Sequence, residues 1–244
     1  MCGIFGIYGD ENAAALAHLG LYSLQHRGQE SSGIVAVDRE QGARAIKRMG
    51  LVSDAFAAPD VQTLRGDIAI GHTRYSTAGS STIENAQPML ARFRDGHIGL
   101  AHNGNLTNAS ELRRELEDGG SIFTTTMDSE VLVHRMARSS SVKPEERLAD
   151  ALRGVEGAYC LTVVVGNTLL AARDPRGWRP LVMGKLGDAT VFASESCALD
   201  LLGATLEREV ERGEIIAIDE SGMRSIFPLE KKDSKKCVFE YVYF

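Results

Sequence analysis

The sequence predicts an α+β fold of mostly antiparallel sheets covered by helices, and two observations lead there. Short β-prone runs come in pairs across turn signals, at Gly166-Asn167, Gly187-Asp188 and Ser221-Gly222. Between and before these pairs lie amphipathic stretches with helix starts and stops, and such helices must cover the sheets to bury their apolar faces.

Taken in order, Ile4, Phe5, Ile7 and Tyr8 read as a buried strand in which Gly3, Gly6 and Gly9 permit close approach of other backbone. Glu11 to Gln25 reads as a helix with Leu16, Leu19, Tyr22 and Ser23 on one face and Gly28 as its stop. Residues 33–37 and 43–49 form a strand pair, and Leu51 to Ala57 a short helix or turn closed by Pro59. Asp67 to Thr73 alternates as a half-buried strand and leads into a polar loop, Arg74 to Thr82. His97 to Asn103 is a further strand, ending at Asn103-Gly104-Asn105. Asn108 with Glu111 makes a capping start for a helix over 109–118 that Gly119-Gly120 terminates. Asp128 opens a second helix and Pro144 a third. Strands follow at 159–165, 168–172, 181–184, 190–193, 215–218 and 223–227, with a short helix at 196–202. A charged run, Lys231 to Lys236, precedes a β-prone apolar tail, Val238 to Phe244.

Composition excludes several classes. The 244 residues are 43% hydrophobic and 25% charged, as in an ordinary globular protein, and suffice for a sizeable core. A net charge of −6 without a basic block argues against a nucleic-acid partner. No apolar run reaches the roughly 20 residues of a membrane span, and the N-terminus lacks the charged and apolar regions of a secretory signal. Cys2, Cys160, Cys197 and Cys237 are widely spaced and the six histidines form no ligand spacing, so we expect a reducing cytoplasm and no metal site.

Four stretches carry candidate chemistry. Cys2 follows the initiator methionine, and removal of Met1 would give one residue both a thiol and a free α-amine. Their reference pKa values are about 8.5 and about 7.7 to 8.0, so the amine can take the thiol's proton near neutrality. Gly71 to Thr77 puts Arg74 where a strand gives way to a loop; Ala101 to Asn105 puts the Asn103 amide beside Gly104; Thr126 to Glu130 puts Asp128 at a helix start. Taken singly these are a buried thiol, a surface cation, an Asn-Gly turn and an N-cap.

Together with Leu24 to Gly33, Asn85 to Met89, Asp174 to Leu181 and the terminal Phe239 to Phe244, these stretches resemble the class II, N-terminal-nucleophile glutamine amidotransferases. Within them, the specific resemblance is to the glutaminase domain of the amidophosphoribosyltransferases. It implies a four-layer αββα sandwich of the N-terminal-nucleophile hydrolase type, over residues 1–230. Residues 231–244 would then be a linker and the start of a phosphoribosyltransferase domain. The implied activity is hydrolysis of the glutamine side-chain amide through a Cys2 thioester, supplying ammonia for the first step of purine synthesis. In that reading Asn103 and Gly104 hold the oxyanion, Arg74 the substrate carboxylate and Asp128 its ammonium, while His72, Thr77, Arg27 and Gly28 line the pocket. No cofactor is expected in this chain, although the full-length family enzyme implies Mg²⁺, homo-oligomers and, in some members, a 4Fe–4S cluster for which Cys237 stands near one ligand position. Cys160 and Cys197 read as structural. Two alternatives stand beside this one: the glutaminase domain of another class II enzyme, such as an amino-sugar synthase, and a non-catalytic regulatory module of the same fold.

Overall fold

The computed structural model describes residues 1–56, 58–75 and 80–243, with the side chains of residues 58 and 59 also left undescribed. Two antiparallel sheets form its centre. One has seven strands in the order β11 (Thr205–Glu209), β9 (Val182–Leu186), β10 (Ala189–Ala193), β1 (Gly3–Tyr8), β4 (Ile68–Arg74), β2 (Ser31–Asp38) and β3 (Gly42–Met49). The other runs β13 (Gly222–Ile226), β12 (Ile215–Asp219), β8 (Thr168–Arg173), β7 (Gly157–Val165), β6 (Gly96–Leu106) and β5 (Met89–Phe93).

Three apolar clusters separate four layers. Ile4, Val35, Ile70, Ala101, Val164 and Phe192 fill the gap between the sheets. Phe5, Ile7, Ile34 and Val191 face outward beneath α1 (Ala13–Ser23), α2 (Val52–Ala55), α3 (Ala58–Gln62) and α7 (Cys197–Leu202). Leu100, Leu161 and Leu170 face outward beneath α4 (Ala109–Asp118), α5 (Glu130–Arg138) and α6 (Pro144–Leu152). This is the αββα arrangement, and it follows from the period-2 alternation of each strand. Each buried Ile or Phe contributes roughly 1.5–3 kcal/mol. A hydrogen bond also ties the sheets together: the Thr162 hydroxyl of β7 donates to the Phe5 carbonyl of β1 at 3.2 Å.

Several sequence expectations need correction. In α1 the packed face is Ala13, Ala14, Ala17, Gly20 and Leu21, whereas Leu19 and Tyr22 are 45% and 56% exposed. The reason is the close approach of β1, since a Cβ on Gly20 would lie 2.5 Å from the Phe5 ring. Asn103-Gly104-Asn105 is no turn. The strand runs on to Leu106, with Gly104 paired to Tyr159. A Cβ there would sit 2.0 Å from the Ala158 carbonyl oxygen, so only glycine allows that pairing. The Asn108 side chain does not cap α4; it donates to Gly154 O and accepts from Glu156 N. Strands β5 and β11 were not foreseen. The tail after Val238 forms one helical turn, α8 (Phe239–Val242), rather than a strand. Its amides bond back locally, Glu240 N to Cys237 O and Tyr241 N to Val238 O, both at 3.0 Å.

Candidate active site

The site is built at one end of the gap between the sheets. β1 and β4 pair antiparallel with Gly3 opposite Thr73 and Ile4 opposite His72, which brings the start of β1 beside the end of β4. Ile4 and Ile70 point into the gap, and alternation places Cys2, His72 and Arg74 on that same face. In the facing sheet Ala101 points into the gap, and Asn103, opposite Cys160, continues the series. Gly28 is needed for the loop after α1 to lie on the end of β4, because a Cβ there would be 2.5 Å from the Arg74 backbone.

Cys2, Arg74, Gly104 and Asp128 converge on one cavity of about 20 Å³, closed by Tyr75, Gln87, His102 and Met127. That volume holds about one water molecule, so an amino-acid-sized ligand enters only if its walls part. Arg74 and Tyr75 also line an open groove of about 530 Å³ with Gly28 and Glu30, and Asp128 and Met127 line a second of about 260 Å³. A larger cavity, about 550 Å³, lies under the tail and carries neither Cys2 nor Arg74. Chemistry rather than size locates the site.

The polar groups are poised in different ways. Asn103 is fully buried, and neither its Nδ2 nor its Oδ1 has a hydrogen-bond partner among the described residues. Buried amides are normally satisfied, so this one is an exception at the site. Arg74 is nearly buried, paired with Glu30 and donating to the Ser80 carbonyl at 3.1 Å. Asp128 turns its carboxylate toward β6, accepting from Leu106 N at 2.7 Å, with His102 Nδ1 at 3.6 Å. Burial alone would raise its pKa, but His102 and the Leu106 and Ser129 amides outweigh that and hold it below the ordinary value. It therefore stays anionic. Burial pushes the Cys2 thiol up, against the pull of the terminal ammonium and Arg74, while its Sγ lies 3.6 Å from the Tyr75 carbonyl. The terminal amine, here on Met1, is lowered by burial to about 6 and so is mostly neutral at pH 7.

The remaining expected residues divide. Arg27 is fully buried, and its Nε donates to the Cys2 carbonyl at 2.9 Å; it holds the Cys2 main chain from behind rather than lining the cavity. His72 is likewise beneath the site, its Nε2 donating to the His102 carbonyl at 3.1 Å, and burial lowers its pKa to about 3. Gly28 lines the groove beside Arg74. Thr77 lies outside the described residues.

Sequence reasoning gave no role to three supports. The Gln87 side chain accepts from His102 N at 2.8 Å. Asn85 joins the Ser80 carbonyl to Thr126, bridging the loop near Arg74 and the one that carries Asp128. Glu130 accepts from the amides and hydroxyls of Thr124 and Thr125, fixing the approach to Asp128. The Asn85 to Met89 motif was the available signal for the first two.

Metal-binding capacity is small. Among the described residues one group, His26, Glu195 and Cys197, brings three ligand atoms within 4.8 Å of one another, but Glu195 is already paired with the Arg27 guanidinium, which opposes a cation. A 4Fe–4S cluster takes four thiolates. The Cys237 Sγ has the Met1 thioether at 4.0 Å and belongs to no such group among the described residues, so the chain's own residues do not fit a cluster.

Residues 72–201, more than half of the sequence, match the glutamine amidotransferase domain family, and that stretch holds Arg74, Asn103, Gly104 and Asp128. The chain belongs to this family. The amidotransferase domain is 49% identical over 244 residues to amidophosphoribosyltransferase 2, chloroplastic, of Arabidopsis thaliana, aligning all of this chain with 44% of that protein. It is 45% identical over 244 residues to the amidophosphoribosyltransferase of Bacillus subtilis, covering 51% of it. The solved structure of glutamine phosphoribosylpyrophosphate (PRPP) amidotransferase from B. subtilis, complexed with ADP and GMP, superposes with a TM-score of 0.93 at 43% identity, over 99% of this chain and 52% of that one. The domain thus spans about half the length of the relatives it matches. No helix among the described residues is long and apolar enough to cross a membrane.

Proposed function

We propose that this domain hydrolyses the side-chain amide of free glutamine, with Cys2 as nucleophile. The α-amine of Cys2, free once Met1 is removed, takes the thiol proton. The thiolate then attacks the amide carbon. Asn103 Nδ2–H and the Gly104 N–H stabilise the resulting oxyanion, a single such donor being worth roughly 3–4 kcal/mol. The ammonium of Cys2 returns its proton to the departing nitrogen, releasing ammonia and leaving a glutamyl thioester. Water hydrolyses the thioester, freeing glutamate and the thiol. Arg74 exchanges Glu30 for the substrate α-carboxylate, and Asp128 pairs with the α-ammonium. These two charges select a free amino acid, since a peptide-bound glutamine lacks both termini.

The convergence of Cys2, Arg74, Gly104 and Asp128 on one cavity is the observation that carries this reading; Asn103, next to Gly104 in β6, is buried and without a hydrogen-bond partner among the described residues, although it is not on the cavity wall. The length relation to amidophosphoribosyltransferases supports a second step, in which ammonia passes to a phosphoribosyltransferase domain in the same polypeptide for the first reaction of purine synthesis. In that arrangement residues 231–244 are the connection, and the last strand of the sandwich, β13, ends before them at Ile226. Four free cysteines suit a reducing compartment, in keeping with a cytoplasmic site. Cys2→Ala tests the core of the proposal. Glutamate release from glutamine should vanish while the thermal transition stays; activity persisting unchanged would remove Cys2 from the mechanism.

A further inference from the structure

The tail after Lys236 reaches the end of β1 that carries Cys2 through Cys237, whose Sγ is 4.0 Å from the Met1 thioether, and above all through Glu240. The turn α8 buries none of its residues, and Phe239, Tyr241, Val242 and Tyr243 are all exposed. Glu240 is the exception, with a side chain only 10% exposed. Its two carboxylate oxygens each accept from Arg27, at 2.9 Å from Nη2 and 2.9 Å from Nη1. Arg179 Nη1 lies 3.6 Å away on the other flank and also contacts the Met1 thioether.

Arg27 is fully buried and its donors are divided by function. The two Nη groups hold Glu240 and Glu195, and Nε holds the Cys2 carbonyl. A planar guanidinium cannot turn one edge without turning the other. The bidentate grip of Glu240, together with Glu195 on Nη1, therefore sets the direction of the N–H that holds the main chain of Cys2.

We infer that Glu240 is a positioning residue for the Cys2 nucleophile, acting through Arg27, so that residues 237–243 form part of the glutaminase site and any movement of this tail is felt at the thiol. The inference rests on the reading of Cys2 as nucleophile. Displacing a reacting atom by about 1 Å costs on the order of 10²-fold in rate, whereas the carboxylate and ammonium of glutamine are held elsewhere, by Arg74 and Asp128.

The test compares the 244-residue chain with its Glu240→Ala and Glu240→Gln variants. It measures kcat and KM for glutamine, the rate of Cys2 alkylation by iodoacetamide, and the thermal midpoint. We expect Glu240→Ala to lower kcat about 10- to 100-fold with KM nearly unchanged, and to change the alkylation rate. Glu240→Gln, which keeps the shape and one acceptor, should recover part of kcat. If Glu240→Ala does not fold, the Gln variant alone decides, with a reduced kcat at unaltered KM and thermal midpoint as the expected result. A folded variant with wild-type kcat and alkylation rate would overturn the proposal, as would a loss of kcat that merely follows a fall in thermal midpoint. Glutaminase activity surviving Cys2→Ala would instead remove the underlying reading, whatever the Glu240 variants do.

Discussion

Replacing Asn103 with alanine should raise stability and destroy activity together. The side chain is fully buried and its amide makes no hydrogen bond among the described residues. A buried polar group left unmatched costs about 1–3 kcal/mol. Against its removal stands the space left behind, about 25 Å³ between the two side chains, which at about 24 cal/mol per Å³ amounts to roughly 0.6 kcal/mol. The balance favours Asn103→Ala by roughly 0.5–2 kcal/mol, or a rise in Tm of about 1–8 °C for a domain of this size. In the proposed reaction the same amide donates to the oxyanion, and losing it should lower kcat about 10²–10³-fold with little change in KM. Urea unfolding followed by fluorescence gives the first quantity and a coupled glutamate assay the second. A variant more than about 1 kcal/mol less stable that keeps wild-type kcat would show Asn103 to be a structural amide, and the oxyanion argument would fall.

Two other outcomes follow from the geometry. Asp128→Asn keeps an acceptor for Leu106 N but loses the charge offered to the substrate ammonium, so KM for glutamine should rise about 10- to 100-fold, as for a charge-assisted hydrogen bond of 1.5–3 kcal/mol; a fall confined to kcat would contradict that role. His72 titrates at 6.5 when unfolded and about 3 when folded. The unfolded chain thus binds its proton first, and stability present above pH 6.5 is lost as pH falls toward 3. The loss is up to about 5 kcal/mol, on the order of 1.4 kcal/mol per pH unit. Unfolding free energies at pH 7, 5.5 and 4.5 should fall less steeply for His72→Gln, and equal slopes would refute the assignment.

Much of the site was readable because it is local in the sequence. Cys2, Arg74 and Asp128 each stand at or beside the end of an element that its own pattern announces, and Asn103 lies in a strand whose start the pattern announces although its end is missed. What escaped is set by contacts between distant stretches. Nothing near Asn103-Gly104 distinguishes a turn from a strand that needs glycine to pass the Ala158 carbonyl. The buried face of α1 went to alanines because Gly20 admits the Phe5 ring, a partner outside the helix. Leu19 and Tyr22, the larger apolar residues, were left outside. Asp128 looked like a cap and serves β6 instead. Arg27 looked like a pocket residue, but Glu195 and Glu240, 168 and 213 positions away, hold it behind the nucleophile. The tail's aromatic run suggested a strand, yet among the described residues no sheet edge pairs with it, and Glu240 ties it to Arg27 instead.

The central claim is that the second residue supplies both sulfur and base. Its most direct test is an intact-mass and peptide-mapping measurement on active protein treated with a glutamine-shaped electrophile bearing a diazoketone in place of the amide. The account predicts a single adduct on Cys2, in a chain that has lost Met1, suppressed by added glutamine. Full activity in a chain that retains Met1, or inactivation with the label on Cys160, Cys197 or Cys237, would contradict it.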